Sequence, residues 1–264
     1  MKQNIDLLHG NILTSLTGLA VPIMATSLVQ TAYSLTDMAW IGMVGSDAVA
    51  AVGAAGMYTW LANGAVAMAR MGGQVRVAQT CGEGKPDEAV EYGRGALQLA
   101  VAMALVFGVL SNAAARPMIG FFHLNTNSTV DQAVVYLRIA CGLLLFTYIG
   151  QTMTGLYTAV GNSRIPFLAN SVGLAVNMVL DPMMILGIGP FPKLGVAGAA
   201  IATVTAQLIV LLVLLFFARR DPILSRQLRV FGPIPGRHLK NIVRIGFPTA
   251  IQDMLYCSIS MVLT

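Results

Sequence analysis

Residues 161–203 read GNSRIPFLANSVGLAVNMVLDPMMILGIGPFPKLGVAGAAIAT. Two apolar runs flank the Gly/Pro-rich turn GIGPFPKLG at 187–195, and each run is long enough for a helix that crosses a bilayer. Within the first run Asn170, Asn177 and Asp181 are spaced to share one helix face. An otherwise apolar helix thus carries a polar stripe that ends in an acid. A carboxylate at membrane depth costs about 2.5–3.5 kcal/mol on insertion scales, which makes such an acid a functional candidate by default. A plain helix-end acid before Gly187 is the competing reading.

The rest of the chain has the same character. Of its 264 residues 56% are apolar and 10% charged, with a mean hydropathy of +0.73. A soluble domain carries about 25% charged residues. The composition therefore predicts an all-α polytopic membrane protein with little mass outside the bilayer. Seven apolar segments are expected near 12–36, 48–75, 88–113, 131–156, 163–187, 195–218 and 241–264. Turn chemistry separates them, as at Gly82-Glu83-Gly84-Lys85-Pro86 and Gly161-Asn162-Ser163. The longest polar link runs from Arg219 to Lys240. No cleavable signal peptide is evident, since the first apolar run is long enough to span.

Net charge is +5, but its distribution says more than its sum. With the N-terminus in the cytoplasm, thirteen Lys and Arg residues fall on inside loops and helix ends, Arg70, Arg76, Lys85 and Arg226 among them. Three fall outside: Arg116, Arg138 and Lys193. That asymmetry predicts a cytoplasmic N-terminus and makes the basic link after segment six a topology determinant that also meets anionic lipid. It gives no reason to expect nucleic acid.

The seventh segment opens like the first. Gly246-Phe247-Pro248 parallels Ala20-Val21-Pro22, each leading an apolar run dotted with polar residues. Six segments, a link and a restart suggest an internal repeat of the kind found in secondary transporters. The expected organisation is a six-helix lobe over 1–218, a basic cytoplasmic linker over 219–240, and the first helix of a second lobe over 241–264.

Further polar residues lie inside the spans. Ser27, Gln30, Ser34 and Asp37 share a face of segment one, and Pro22 can bend that segment either as a static kink or as a hinge. Thr147, Gln151 and Thr154 form a polar face on segment four. Asn63 and Gln207 stand isolated and read as packing contacts, and Asn170 and Asn177 could also be interhelix hydrogen-bond glue. The run Gly195 to Ala200 is a close-packing surface, not a phosphate loop, because it follows no strand. His9, His123 and His238 are far apart and lack metal-site spacing, and Cys81, Cys141 and Cys257 imply no disulfide framework. No constellation suggests an enzyme. Fifteen methionines suit membrane packing, and also an adaptable wall for varied apolar ligands.

Several motifs carry a family resemblance. They are Pro22 with Thr36 to Gly42 (TDMAWIG), Ala48 to Gly53 (AVAAVG), Gly155 to Pro166 (GLYTAVGNSRIP), and Asn177 to Pro182 (NMVLDP) followed by Gly195 to Thr203 (GVAGAAIAT). Together they resemble the multidrug and toxic compound extrusion (MATE) family. That resemblance implies half of a twelve-helix, two-lobe antiporter in the plasma (inner) membrane, acting as a monomer when complete. It implies export of cationic or amphiphilic compounds in exchange for H⁺ or Na⁺, with no other cofactor. It assigns cation or proton coupling to Asp37, Asp181 and Asn177, and helix bending to Pro22. Gln30, Ser34, Gln151, Thr154 and Asn170 are the expected cavity residues. Some members use an acid on helix seven, where this chain has Asp253. A flippase for lipid or polysaccharide precursors is the alternative. The interiors of the segments read as neutral or acidic, which argues against an anionic headgroup.

Overall fold

The computed structural model describes residues 12–124, 126–188, 192–228 and 235–263. Among these every regular element is a helix. In chain order they are α1 (Ile12–Gly42), α2 (Ser46–Gly82), α3 (Pro86–Ala113), α4 (Ala115–Gly120), α5 (Asn127–Gly142), α6 (Leu144–Ala159), α7 (Arg164–Leu186), α8 (Val196–Ala218), α9 (Leu224–Gln227) and α10 (Gly236–Leu263). A chain this apolar must satisfy its backbone within each segment once it is in lipid, and helices do so. α3, α7 and α8 are each long and apolar enough to cross a membrane, as is the bent pair α5 and α6 taken together.

The helix ends follow from local sequence. Pro86 opens α3 at a position where a missing N–H costs nothing, with Asp87 and Glu88 in the positive first turn. The Thr126 hydroxyl caps α5 by accepting from the Thr129 amide at 3.2 Å. Gly187 closes α7 with φ of 76°, a left-handed geometry that glycine adopts without strain. The turn that follows folds back on α7: the Leu194 and Gly195 amides donate to the Met184 and Ile185 carbonyls at 3.0 and 3.2 Å.

α2 is the central strut, packed by α3, α5, α6 and α10. The contact between α2 and α10 is the most extensive. A side chain on Gly72 would run into Ile242, and one on Gly246 into the Met68 carbonyl, so the two backbones meet with nothing between them. The pairs Gly72–Ile242, Met68–Gly246 and Gly64–Met254 run in opposite directions along the two helices, which are therefore antiparallel. α7 and α8 form a second antiparallel pair, with Gly198 against Met184 and Gly173 against Val210. Their close fit agrees with the packing role expected for the Gly195–Ala200 run.

Buried tyrosines tie helices together by donating to backbone carbonyls: Tyr58 to Met118 at 2.6 Å, Tyr157 to Leu214 at 2.8 Å, and Tyr148 to Ala62. Apolar packing divides into two clusters. One gathers Ala51, Tyr58, Leu137, Tyr148, Ile185 and Ala199. The other gathers Val77, Leu97, Leu156, Leu214, Leu224 and Ile242. The polar link after α8 begins by docking on α3. Arg226 pairs with Asp87 at 2.7 Å, and the Gln227 side-chain amide donates to the Ala89 carbonyl at 3.1 Å.

Two features depart from the sequence expectation. Segment four is not one helix: it breaks at Leu143, where α5 and α6 bend by 47°. At the break Gly142 leaves space for the Asn112 side chain of α3, which a Cβ there would meet at 2.9 Å. Segment three is followed by the short helix α4, too brief for apolar periodicity to reveal.

Candidate functional site

The site starts on α7. Asn177 and Asp181 lie one turn apart, and the Asn177 amide donates to Asp181 Oδ1 at 3.0 Å. Both residues are 0% exposed. The pairing uses half of each group's capacity. Asp181 Oδ2 and Asn177 Oδ1 are buried and accept no hydrogen bond from any described residue, in an interior where buried polar atoms are nearly always satisfied. Pro182 follows directly inside the helix and withholds one backbone N–H, freeing the Met178 carbonyl.

α1, which carries Asp37, packs along α7. Asp37 Oδ1 is a third buried acceptor without a donor. Tyr136 of α5 is buried as well. Asp37 and Tyr136 also line a cavity of about 700 Å³. A cavity of this size suits a drug-sized ligand. Its walls include Ser34 from α1, Thr147, Gln151 and Thr154 from α6, Asn170 from α7, and Thr203 and Gln207 from α8.

The expected residues thus divide into two groups. Ser34, Gln151, Thr154 and Asn170 line the cavity, together with Asp37. Asn177 and Asp181 are buried and do not line it. Pro22 and Gln30 fall within the span of α1, but their side chains lie outside the described residues, as does all of His9. Ser27 is exposed, and its hydroxyl is turned back onto the Ile23 carbonyl at 3.2 Å, so it does not join the cavity.

Several sequence readings need correction. Asn63 and Gln207 are cavity residues and not isolated packing contacts. Asn63 Oδ1 accepts from the Gln151 amide at 2.7 Å, a bond that ties α2 to α6. Arg70, counted as a charge near a helix end, instead lies well inside α2 and lines the cavity. Asp253, on α10, lines it too. One signal in the sequence pointed there: Gly56, Asn63 and Arg70 recur at seven-residue spacing, which keeps one face of α2 towards the cavity. The interior is therefore neither uniformly neutral nor acidic.

His238 lies away from this site. It contacts Glu91 at 3.1 Å and packs on Tyr92, joining α10 to α3. Among the described residues no group of three or more His, Cys, Asp or Glu side chains has the geometry to hold a metal ion.

Comparison with known proteins agrees with this architecture. A probable multidrug resistance protein NorM of Thermotoga maritima is 26% identical over 242 residues, covering 90% of this chain and 51% of the relative. An FAD transporter of Shewanella oneidensis is 26% identical over 213 residues, covering 80% of this chain and 46% of its own. The chain therefore spans about half the length of the curated relatives it matches. Among solved structures, a MOP superfamily transporter from Pyrococcus furiosus superimposes with a TM-score of 0.85 at 25% identity, over 96% of this chain and 55% of that one. A MATE transporter in complex with MaD3S gives 0.86 at 25% identity, over 96% and 56%. These proteins are transporters and not enzymes, and their fold makes the chain a multi-pass membrane protein. The MatE family model matches residues 22–183, and the chain belongs to the MatE family.

Proposed function

We propose that this chain supplies the first six-helix lobe and the opening helix of a two-lobe antiporter. That antiporter exports cationic or amphiphilic compounds in exchange for H⁺ or Na⁺. In this reading 1–218 form the lobe, 219–240 the cytoplasmic linker and 241–264 the start of the second lobe. The observation that carries it is the Asn177–Asp181 pair, fully buried with oxygens that have no partner among the described residues, together with Asp37, likewise unpartnered, in the wall of a drug-sized cavity. Carboxylates in an apolar lobe are tolerated when a cation, a proton or a donor accompanies them. Asp37 and Asp181 would hold the coupling ion, and Asn177 would orient the Asp181 carboxylate and offer its carbonyl oxygen. A cationic substrate entering the cavity would compete for the same negative charge. Rocking of one lobe against the other would then carry ion and substrate in opposite directions.

This competition gives the test. In the intact transporter, affinity for a permanently cationic dye such as rhodamine B ethyl ester is expected to fall as Na⁺ or H⁺ concentration rises. Asp37→Asn and Asp181→Asn should each flatten that dependence, because coupling between two ligands is reciprocal and needs the shared site. Fluorescence anisotropy titrations at several ion concentrations measure it. An undiminished ion dependence in both variants would place coupling elsewhere.

A further inference from the structure

We propose that His238 is a proton-operated latch. With its ring charged it clamps the start of α10 to α3, and with its ring neutral it lets that end of α10 swing away. This rests on the two-lobe reading above, in which α10 opens the second lobe and must move against the first.

The polar link leaves α8 and returns to α3 twice. The first return, at α9, is a peg. Leu224 and Gln227 are fully buried. Gly93 of α3 leaves the hollow that the Gln227 side chain fills, since a Cβ there would run into it. Arg226 pairs with Asp87, and Arg94 Nε donates to the Arg226 carbonyl at 3.0 Å. The buried parts of the peg are an amide and a leucine, which have no proton to gain or lose.

The second return, at the start of α10, is made differently. The His238 ring packs on Tyr92 of α3, 4.4 Å between centroids, and its side chain is only 13% exposed. Its Nδ1 lies 3.1 Å from a Glu91 oxygen and its Nε2 3.9 Å from a Glu88 oxygen. One turn further along α10, the Asn241 amide donates to the Tyr92 hydroxyl at 3.0 Å. Each ring nitrogen thus faces a carboxylate of α3. A neutral imidazole has one N–H and can serve one of them, whereas an imidazolium has two and serves both. Histidine is the side chain suited to such a change near physiological pH.

The other charges around the ring are engaged elsewhere or exposed. From α2, Arg76 lies over the Tyr92 ring, 5.3 Å from its centroid. In the turn before α3, Glu83 is paired with Lys85, and Asp87 is held by Arg226. On α10 itself Arg237, Lys240 and Arg244 are exposed. The two returns therefore do different jobs: α9 stays with the first lobe, and His238 is the joint that releases. With the expected cytoplasmic N-terminus, that joint lies at the cytoplasmic mouth, and a fall in cytoplasmic pH would hold the mouth shut.

Spin labels on the intact transporter test this. They are placed at Arg220, just past α8, and at Arg237, at the start of α10, both exposed, in a variant without other cysteines. Double electron–electron resonance reads their separation at about pH 5.5 and about pH 8, on either side of the ordinary histidine range. The ratio of short-distance to long-distance populations should be about tenfold higher at the acid pH, the difference between a charged and a neutral hydrogen bond. His238→Gln, which keeps a donor and cannot charge, should lose that dependence. His238→Arg, which is always charged, should hold the short distance at both pH values. If His238→Arg does not fold, the wild type and His238→Gln still decide. A wild-type distribution that pH leaves unchanged overturns the latch, and so does a His238→Gln response as large as the wild type's. If a cationic dye or Na⁺ moves the labels apart while pH does not, the latch alone fails. If neither dye, Na⁺ nor pH moves them, the two-lobe reading fails with it.

Discussion

Asn177 is the residue on which the geometry makes its sharpest demand. Among the described residues its amide is the one hydrogen-bond donor to a carboxylate that is fully buried. Asn177→Ala leaves Asp181 Oδ1 without a partner, and a buried unsatisfied acceptor costs about 1–3 kcal/mol. Thermal unfolding in detergent should show that loss, whereas an unshifted unfolding curve would mean that the pair does not hold the helix face together. The pair was legible in the sequence because an acid and two amides on one face of an apolar helix have few innocent explanations. Arg70 was not legible for the opposite reason. Basic residues have a ready alternative use, setting topology from helix ends, and α2 is long enough at 37 residues that its charged turn looks terminal when it is interior. Asn63 and Gln207 were overlooked because the companions on their helix faces, Arg70 and Thr203, read as a topology charge and a packing residue. They become functional candidates only when packing brings α2, α6 and α8 around one cavity.

At the scale of elements, the junction of α2 with α10 holds the closest backbone approaches at any described glycine. Gly246→Val would drive a side chain into the Met68 carbonyl and should separate the two helices, costing about 1–3 kcal/mol or more. A Cβ on Gly120 meets no atom within 4 Å, so Gly120→Val serves as the control. A Gly246→Val protein with wild-type thermal stability would contradict the packing. The positions of the helices were largely readable, since Gly/Pro turns punctuate apolar runs and the observed ends lie within several residues of the expected ones. The break between α5 and α6 was not. Hydropathy runs straight through Cys141-Gly142-Leu143-Leu144, and what bends the segment there is a neighbour, the Asn112 side chain of α3 lodged against Gly142. A contact between distant segments leaves no trace in a local apolar pattern.

For the whole molecule, the charge asymmetry and the site lead to separate predictions. A cytoplasmic N-terminus places engineered cysteines near Asp47, Asn125 and Pro190 within reach of an impermeant reagent outside, and those near Pro86 and Arg226 beyond it. Labelling at Pro86 from outside would reverse the orientation. The chain runs out-and-back in a way that fits this scheme, with α2 antiparallel to α10 and α7 antiparallel to α8. The direct measure of the central claim is transport per folded molecule, made on the intact transporter in vesicles with an imposed H⁺ or Na⁺ gradient. Asp181→Asn and Asp37→Asn keep the size of the side chain and remove its charge, and neither adds a buried ion, so both proteins should insert and fold. Efflux driven by the gradient is expected to vanish in each while the amount of folded protein stays at the wild-type level. Gradient-driven efflux at the wild-type rate per folded molecule in both variants would contradict the coupling role of these two acids.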